Sequence, residues 1–451
     1  MIATFTGGNV QDGHSDAAWE NPPLTRILAL SNWYPPHHYG GYELGCHDVM
    51  EGLIRRGHDV EVLCSDHRLS SVDAAPSSES HVHRELEMYF RNEKLYTPSP
   101  WTCLAIERRN RTRVMRLLDQ FRPDVVSVWQ PSALGLGVLT TIIERRTPLV
   151  YSVCDDWLVY ALQLDPWGRQ FAGPRWRRWL GRMIRPLVGV PTAAPDIGAS
   201  GAFCFMSDFT RRTAARDSPW RFPRSTVVWG GVDDQQFVPR PVEPSWSWRL
   251  LFTGRFDPRK GADTLVRALP LLPPEATASF FGRGGQEEVS RLRAVASEVG
   301  VADRVTFGSR DRSELAPEYR AADVLVFPSE WDEPFGLVPL EAMASGAPVV
   351  ATGSGGSAEF LVNEGNCLLF DRGNPESLQR AVRRLAVDVE LRHHVVEGGL
   401  RTVRELSLER LVDVFERWHV AAAEGYVEGT PSDRAPILLP SARRADAVDP
   451  T

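Results

Sequence analysis

The chain has 451 residues, of which 43% are hydrophobic and 24% charged, an ordinary globular composition with volume for two buried cores. A formal net charge of −7 argues against bulk nucleic-acid binding, and six cysteines without C-x-x-C spacing indicate neither a structural zinc site nor a disulfide framework. No long apolar run appears, and the first 24 residues carry Asp12, Asp16 and Glu20 instead of a basic start and an apolar core, so neither a membrane-spanning helix nor a signal peptide is expected and the expected compartment is a reducing cytoplasm.

Residues 1–24 and 428–451 are polar and proline-bearing and read as disordered ends. Between them LTRILAL, HDVEVLC, DVVSVWQ and PLVYSVC are short apolar strands separated by helical segments, the rhythm of a doubly wound parallel sheet. Gly40 and Gly41 follow the first strand and precede a helix, where they let a phosphate come close to the backbone; taken alone they fit a tight turn equally well. In PRWRRWLGRMIRPL at 174–187, Trp176, Trp179, Leu180, Met183, Ile184 and Leu187 share one helical face, with Arg175, Arg178, Arg182 and Arg185 largely off it. Such a helix can lie in a membrane interface, a peripheral contact with the inner membrane face. It can also be a lid packed on its own domain, and that is the expectation, because most amphipathic stripes are core.

Pro239, Pro241 and Pro244 form a stiff linker, and the chain splits near 240. RLLFTG, TASFFGRG, RVTFGS, ADVLVFP and APVVAT then repeat the strand pattern, so two Rossmann-like domains face each other across a cleft. In GRFDPRKG, Arg255 and Lys260 follow a strand on one loop and can converge on a diphosphate. Lys260 stands out because Lys94 is the one other lysine in the chain. FFGRGG at 280–285 lacks the order of a dinucleotide fingerprint.

FPSEWDEPFGLVPLEAMASGAPVVAT carries the strongest signal. Its strand leaves the sheet at Pro328, Pro334 fixes the backbone ahead of Phe335 and Gly336, and a helix follows until Gly346 caps it. The free N–H groups around Phe335, Gly336 and Leu337 offer a positive dipole end to a phosphate at the carboxyl edge of the sheet. Glu333 at the bend and Glu341 two turns on suit a sugar at one end and a ribose diol at the other, about 12 Å apart if the eight residues are helical. The pairs Asp155–Asp156, Asp233–Asp234, His37–His38 and His393–His394 have no metal-ligand company, so no metal site is expected.

The E-x7-E pair followed by GLVPLEAMASGAPVV resembles the signature of the retaining glycosyltransferases of family 4, which have the GT-B fold. Other landmarks follow in order: LALSNWYPPHHYGGYELGCHDVMEGLIRRGHDVEVLC at 28–64, VVWGGVDDQQFVP at 227–239 with Gly230 where asparagine is usual, and LLFTGRFDPRKGADTLVRAL at 250–269. The resemblance covers about residues 26–425 and is thin between 66 and 225. It implies an acceptor-binding domain at 25–240, a donor-binding domain at 245–407 and a helix at 408–427 that crosses back to the first.

It also implies transfer of a sugar from a nucleoside-diphosphate donor to a hydroxyl of a small-molecule, glycan or lipid-linked acceptor, with retention and without a metal or other cofactor. Arg255 and Lys260 would stabilise the departing diphosphate, Glu333 hold the sugar hydroxyls and Glu341 the ribose, which favours UDP or GDP over dTDP. Gly40, Gly41, Phe335, Gly336 and Leu337 would line the donor site, with Arg283 beside the base, either stacked or simply solvated. Where similar proteins have a His-Asp pair near the donor sugar, this chain has Cys154 before Asp155, so Asp155 is the remaining candidate there. Either Cys154 makes a less polar pocket that tolerates a 6-deoxy sugar, or it is an ordinary buried cysteine. The competing readings are an inactive subunit that binds nucleotide-sugars or glycans, and a GT-B hydrolase or epimerase.

Overall fold

The computed structural model describes residues 22–69, 80–91, 94–240, 245–284 and 286–425. Pro241, Pro244 and almost all of the two ends expected to be disordered lie outside them. Two wholly parallel sheets carry the architecture. The first runs Val82–Leu86, Asp59–Ser65, Arg26–Leu30, Val125–Val128, Leu149–Val153, Ala202–Phe205, Ser225–Val227. The second runs Val305–Gly308, Thr277–Phe281, Arg249–Thr253, Val324–Phe327, Val349–Ala351, Leu368–Leu369. Val125–Val128, Leu149–Val153 and Val324–Phe327 are buried throughout, as strands covered by helices on both faces must be.

Each sheet reverses its order beside its first strand. In the first, the chain works outward from Arg26–Leu30 to Val82–Leu86 and returns on the other side at Val125–Val128; in the second it does the same around Arg249–Thr253 and Val324–Phe327. Such switch points open a crevice at the carboxyl ends of the strands. The glycine loop at 40–41, the basic loop at 254–261 and the bend at 328–336 all leave from these central strands.

The last helix, Leu408–Ala423, packs against Gly41–Arg55 beside the first sheet. Val232 brackets its start, accepting from Leu408 N at 2.8 Å and donating to Leu406 O at 2.9 Å. Phe415 stacks on Trp129 with ring centres 5.2 Å apart, and Arg56 pairs with Glu409, Asp413 and Glu416. A Cβ on Gly52 would come within 2.5 Å of Val412, so the two helices meet at a glycine.

One expectation fails. Arg175–Val188 is a helix, but of its apolar stripe only Ile184 packs on its own domain. Gly181 is buried against Phe171, with Ile184 and Val188 half-buried on the cluster of Tyr89, Cys103, Leu104, Trp167 and Phe171. That inner side is turned roughly 100° away from Trp176, Trp179, Leu180, Met183 and Leu187, which remain in solvent.

Candidate active site

The basic loop is built to present Lys260. Asp257 caps the single turn Pro258–Lys260, accepting from Arg259 N at 3.0 Å, and the Arg259 guanidinium beside it holds its carboxyl down at about 2. Gly261 ends the turn at φ +65°, and a Cβ there would lie 2.0 Å from Pro328 O, so only glycine lets the two loops touch. Glu330 N donates to Arg259 O at 2.8 Å and Thr264 Oγ1 to Glu330 at 3.0 Å, which ties the basic loop to the bend.

Lys260 Nζ consequently reaches both oxygens of Glu333, at 2.7 and 2.9 Å. Ser329 Oγ donates to the same carboxylate at 2.7 Å, and Glu333 is 4% exposed. Trp331 lies under the cations, 5.3 Å from Lys260 Nζ and 4.8 Å from the Arg259 guanidinium. Lysine and glutamate, read from sequence as two separate contacts, form one unit. Arg255 stands apart, exposed, with no side-chain hydrogen bond or ion pair among the described residues.

Past Glu333 the backbone turns at Gly336, φ +97°, into the helix Leu337–Ala344, whose first turn no side chain caps. The helix ends in a 6→1 bond from Ala347 N to Ala342 O across Gly346 at φ +73°. Because it begins only at Leu337, Glu341 sits about 6 Å along it, and the stretch from Glu333 to Gly336 is not helical, so the roughly 12 Å rise of eight helical residues does not describe the spacing of the two glutamates. Phe335 is buried against Phe360.

Leu337 crosses the cleft: its methyls lie 3.5 Å from where a Cβ on Gly41 would be and 3.0 Å from one on Gly230. A side chain at 230 would also press on the Phe335 ring at 3.0 Å, which accounts for glycine at that position. Gly40 has an extended φ of −161°, and a Cβ on it would meet nothing nearer than Glu43 Oε2 at 3.9 Å. The chain's own packing does not demand glycine at 40. Gly40, Gly41, Gly336 and Leu337 are thus brought together, with the helix N-terminus facing the glycine loop.

Glu341 is buried and already engaged. Tyr319 OH donates to Oε2 at 2.9 Å, and Arg312 Nε lies 3.4 Å from Oε1 while its Nη1 pairs with Asp48 in the first domain. Burial pushes the Glu341 carboxyl above the ordinary range, with Arg312 and Tyr319 pulling the other way. Arg283 is not merely solvated: it donates to His38 O at 2.9 Å across the cleft and pairs with Asp311 at 3.2 Å.

Asp155 ends the strand Leu149–Val153, accepting from Trp157 N at 3.0 Å, Tyr160 OH at 3.0 Å and Gln130 Nε2 at 3.3 Å, and burial raises its carboxyl. Cys154 turns into the core, its Sγ 3.5 Å from Ser152 Oγ, and burial pushes the thiol up to about 12.

Sequence reasoning missed several groups. Glu43 accepts from Gly40 N at 3.0 Å and is pushed by burial to about 7; the G-x-x-E spacing of a capping box signals it. Glu359 accepts from Asp208 N, Phe209 N and Trp229 Nε1 at 2.8–3.0 Å, capping a helix of the opposite domain. Arg312 and Tyr319, seven apart on Arg312–Ala321, carry no motif. Among the described residues no three of His, Cys, Asp and Glu gather as metal ligands would.

Comparison with known proteins agrees with this geometry. The model of Glycosyltransferase Family 4 matches residues 39–236 and that of Glycosyl transferases group 1 matches 234–402. An uncharacterized glycosyltransferase of Methanocaldococcus jannaschii is 25% identical over 84% of this chain and 93% of its own length. A D-inositol 3-phosphate glycosyltransferase of Salinispora tropica is 33% identical over 45% of this chain, and the match spans about half of that protein, 47%. Anabaena HepE, solved in complex with UDP-glucose, superposes with a TM-score of 0.62 at 22% identity, covering 89% of this chain and all of that one, and shares the fold. With one family model on each sheet, the chain belongs to the family 4-like glycosyltransferases of GT-B fold.

Proposed function

We propose that the chain transfers a sugar from a UDP or GDP donor to an acceptor hydroxyl with retention of configuration, and that it does so without a divalent ion. The observation that carries this is the Lys260–Glu333 pair set at an uncapped helix N-terminus opposite Gly40 and Gly41. A diphosphate between the two glycines and Leu337 N would meet the dipole end, with Arg255 and Lys260 balancing the charge of the leaving group. The remaining lone pair of Glu333, on Oε2, accepts a donor-sugar hydroxyl. Both of its oxygens are bound by Lys260, which makes it a poor nucleophile. Retention then follows if the leaving phosphate oxygen takes the acceptor proton on the face it vacates. UDP is supported by the HepE complex, a protein of the same fold that binds UDP-glucose.

The test is a thermal-shift screen of UDP, GDP, ADP and dTDP sugars, followed by nucleoside diphosphate release with and without hydroxyl acceptors, in EDTA. Release that needs an acceptor, with the donor's anomeric configuration in the product by NMR, is expected. Equal release without acceptor would make the protein a hydrolase, a shift without release a binding subunit, and loss of activity in EDTA would remove metal independence.

The buried thiol bears on donor choice. Because Cys154 is a core residue, Cys154→Ala is expected to leave the ratio of 6-hydroxy to 6-deoxy donor turnover within about twofold of native. A shift of tenfold would restore the less polar donor pocket.

A further inference from the structure

The helix Arg175–Val188 has three sides. Gly181, Ile184 and Val188 pack inward. Trp176, Trp179, Leu180, Met183 and Leu187 form an outward apolar stripe, exposed by 61, 58, 40, 59 and 80%. Arg175, Arg178, Arg182 and Arg185 fill the remaining arc. From 166 to 195 the sequence has no carboxylate and six arginines. Arg185 pairs with Glu144, but Arg175, Arg178 and Arg182 make no ion pair among the described residues. The helix is held firmly beneath: Arg108 binds Val188 O at 2.8 Å and Leu187 O at 3.3 Å, and Trp167 Nε1 binds Pro191 O at 2.6 Å.

We propose that this face docks the protein on an anionic phospholipid surface, with the tryptophans and Met183 seated at headgroup depth and the arginines on lipid phosphates. Charge decides the occupant. A stripe about 21 Å long and about 10 Å wide offers roughly 200 Å², a quarter of the ~800 Å² per partner of a stable protein interface. A symmetric second copy would also set arginine combs against each other. A bilayer needs no matching surface, and indole rings favour its interface. The proposal does not rest on the donor site.

The full chain is tested by flotation with vesicles of equal phosphatidylglycerol and phosphatidylcholine, and of phosphatidylcholine alone, at low and at 0.5 M salt. Binding to the anionic vesicles at low salt, weakened by salt and by neutral lipid, is expected. Met183→Asp with Leu187→Asp should abolish it, and Arg178→Gln or Arg182→Gln should each weaken it about fivefold. All six native cysteines are buried, so Leu187→Cys accepts an environment-sensitive dye selectively, and its emission should shift to the blue on anionic vesicles only. No flotation at low salt overturns the proposal, as does flotation that the double aspartate variant retains while folded by circular dichroism. A concentration-dependent dimer that the same variant dissolves would assign the face to a second copy and overturn it too.

Discussion

Lys260→Ala is expected to slow sugar transfer by about a hundredfold, the cost of losing one charged contact to a leaving group in a site shielded from water. It should also destabilise the fold. Glu333 is 4% exposed and would keep only Ser329 as a hydrogen-bond donor, so the loss is about 3 kcal/mol, the lower end for breaking a buried pair, because Lys260 retains some solvent. The two effects are separable. Lys260→Met with Glu333→Gln removes both charges together and should recover most of the stability in a denaturant melt while turnover stays low. If the double variant regains turnover to within about twofold of native, the pair is a structural device and the catalytic assignment is wrong.

The sequence made the architecture legible because parallel strands covered on both faces must be continuously apolar, as ADVLVFP and PLVYSVC are. Strands without that property escaped: Val82–Leu86 is an edge strand carrying His83, Arg84 and Glu85, and Leu368–Leu369 is two residues long. The donor landmarks were readable because each is local, with proline, glycine and charged residues within one loop. What joins them is not local. That Lys260 and Glu333 share a bond depends on Gly261 passing within contact of Pro328, and that Arg312 meets both Glu341 and Asp48 depends on the apposition of two domains. The amphipathic helix at 175–188 failed for another reason. Periodicity identifies an apolar face but not its direction, and here Gly181 made a second, smaller face the one that packs.

Glu341→Gln is expected to raise the donor KM by about tenfold for a ribonucleotide sugar and to leave that of a 2′-deoxyribose analogue nearly unchanged. A carboxylate has about four lone-pair positions. Tyr319 uses one on Oε2 and Arg312 leans on Oε1, so two remain for a hydroxyl pair. Glutamine keeps the shape and can still accept from Tyr319, but it puts an N–H₂ where one acceptor stood. Arg312 keeps Asp48, which limits the structural damage. Acidity supplies an independent reading. The carboxyl is held above the ordinary glutamate range by burial, so in the free enzyme it takes up a proton at higher pH than an exposed glutamate does. The diol needs the deprotonated form; affinity for the ribonucleotide donor therefore falls as pH drops through that raised value, and the fall should be absent in Glu341→Gln. A KM for the native enzyme that is flat with pH, together with equal effects of the substitution on ribose and deoxyribose donors, would show that Glu341 serves only to hold Arg312 between the domains.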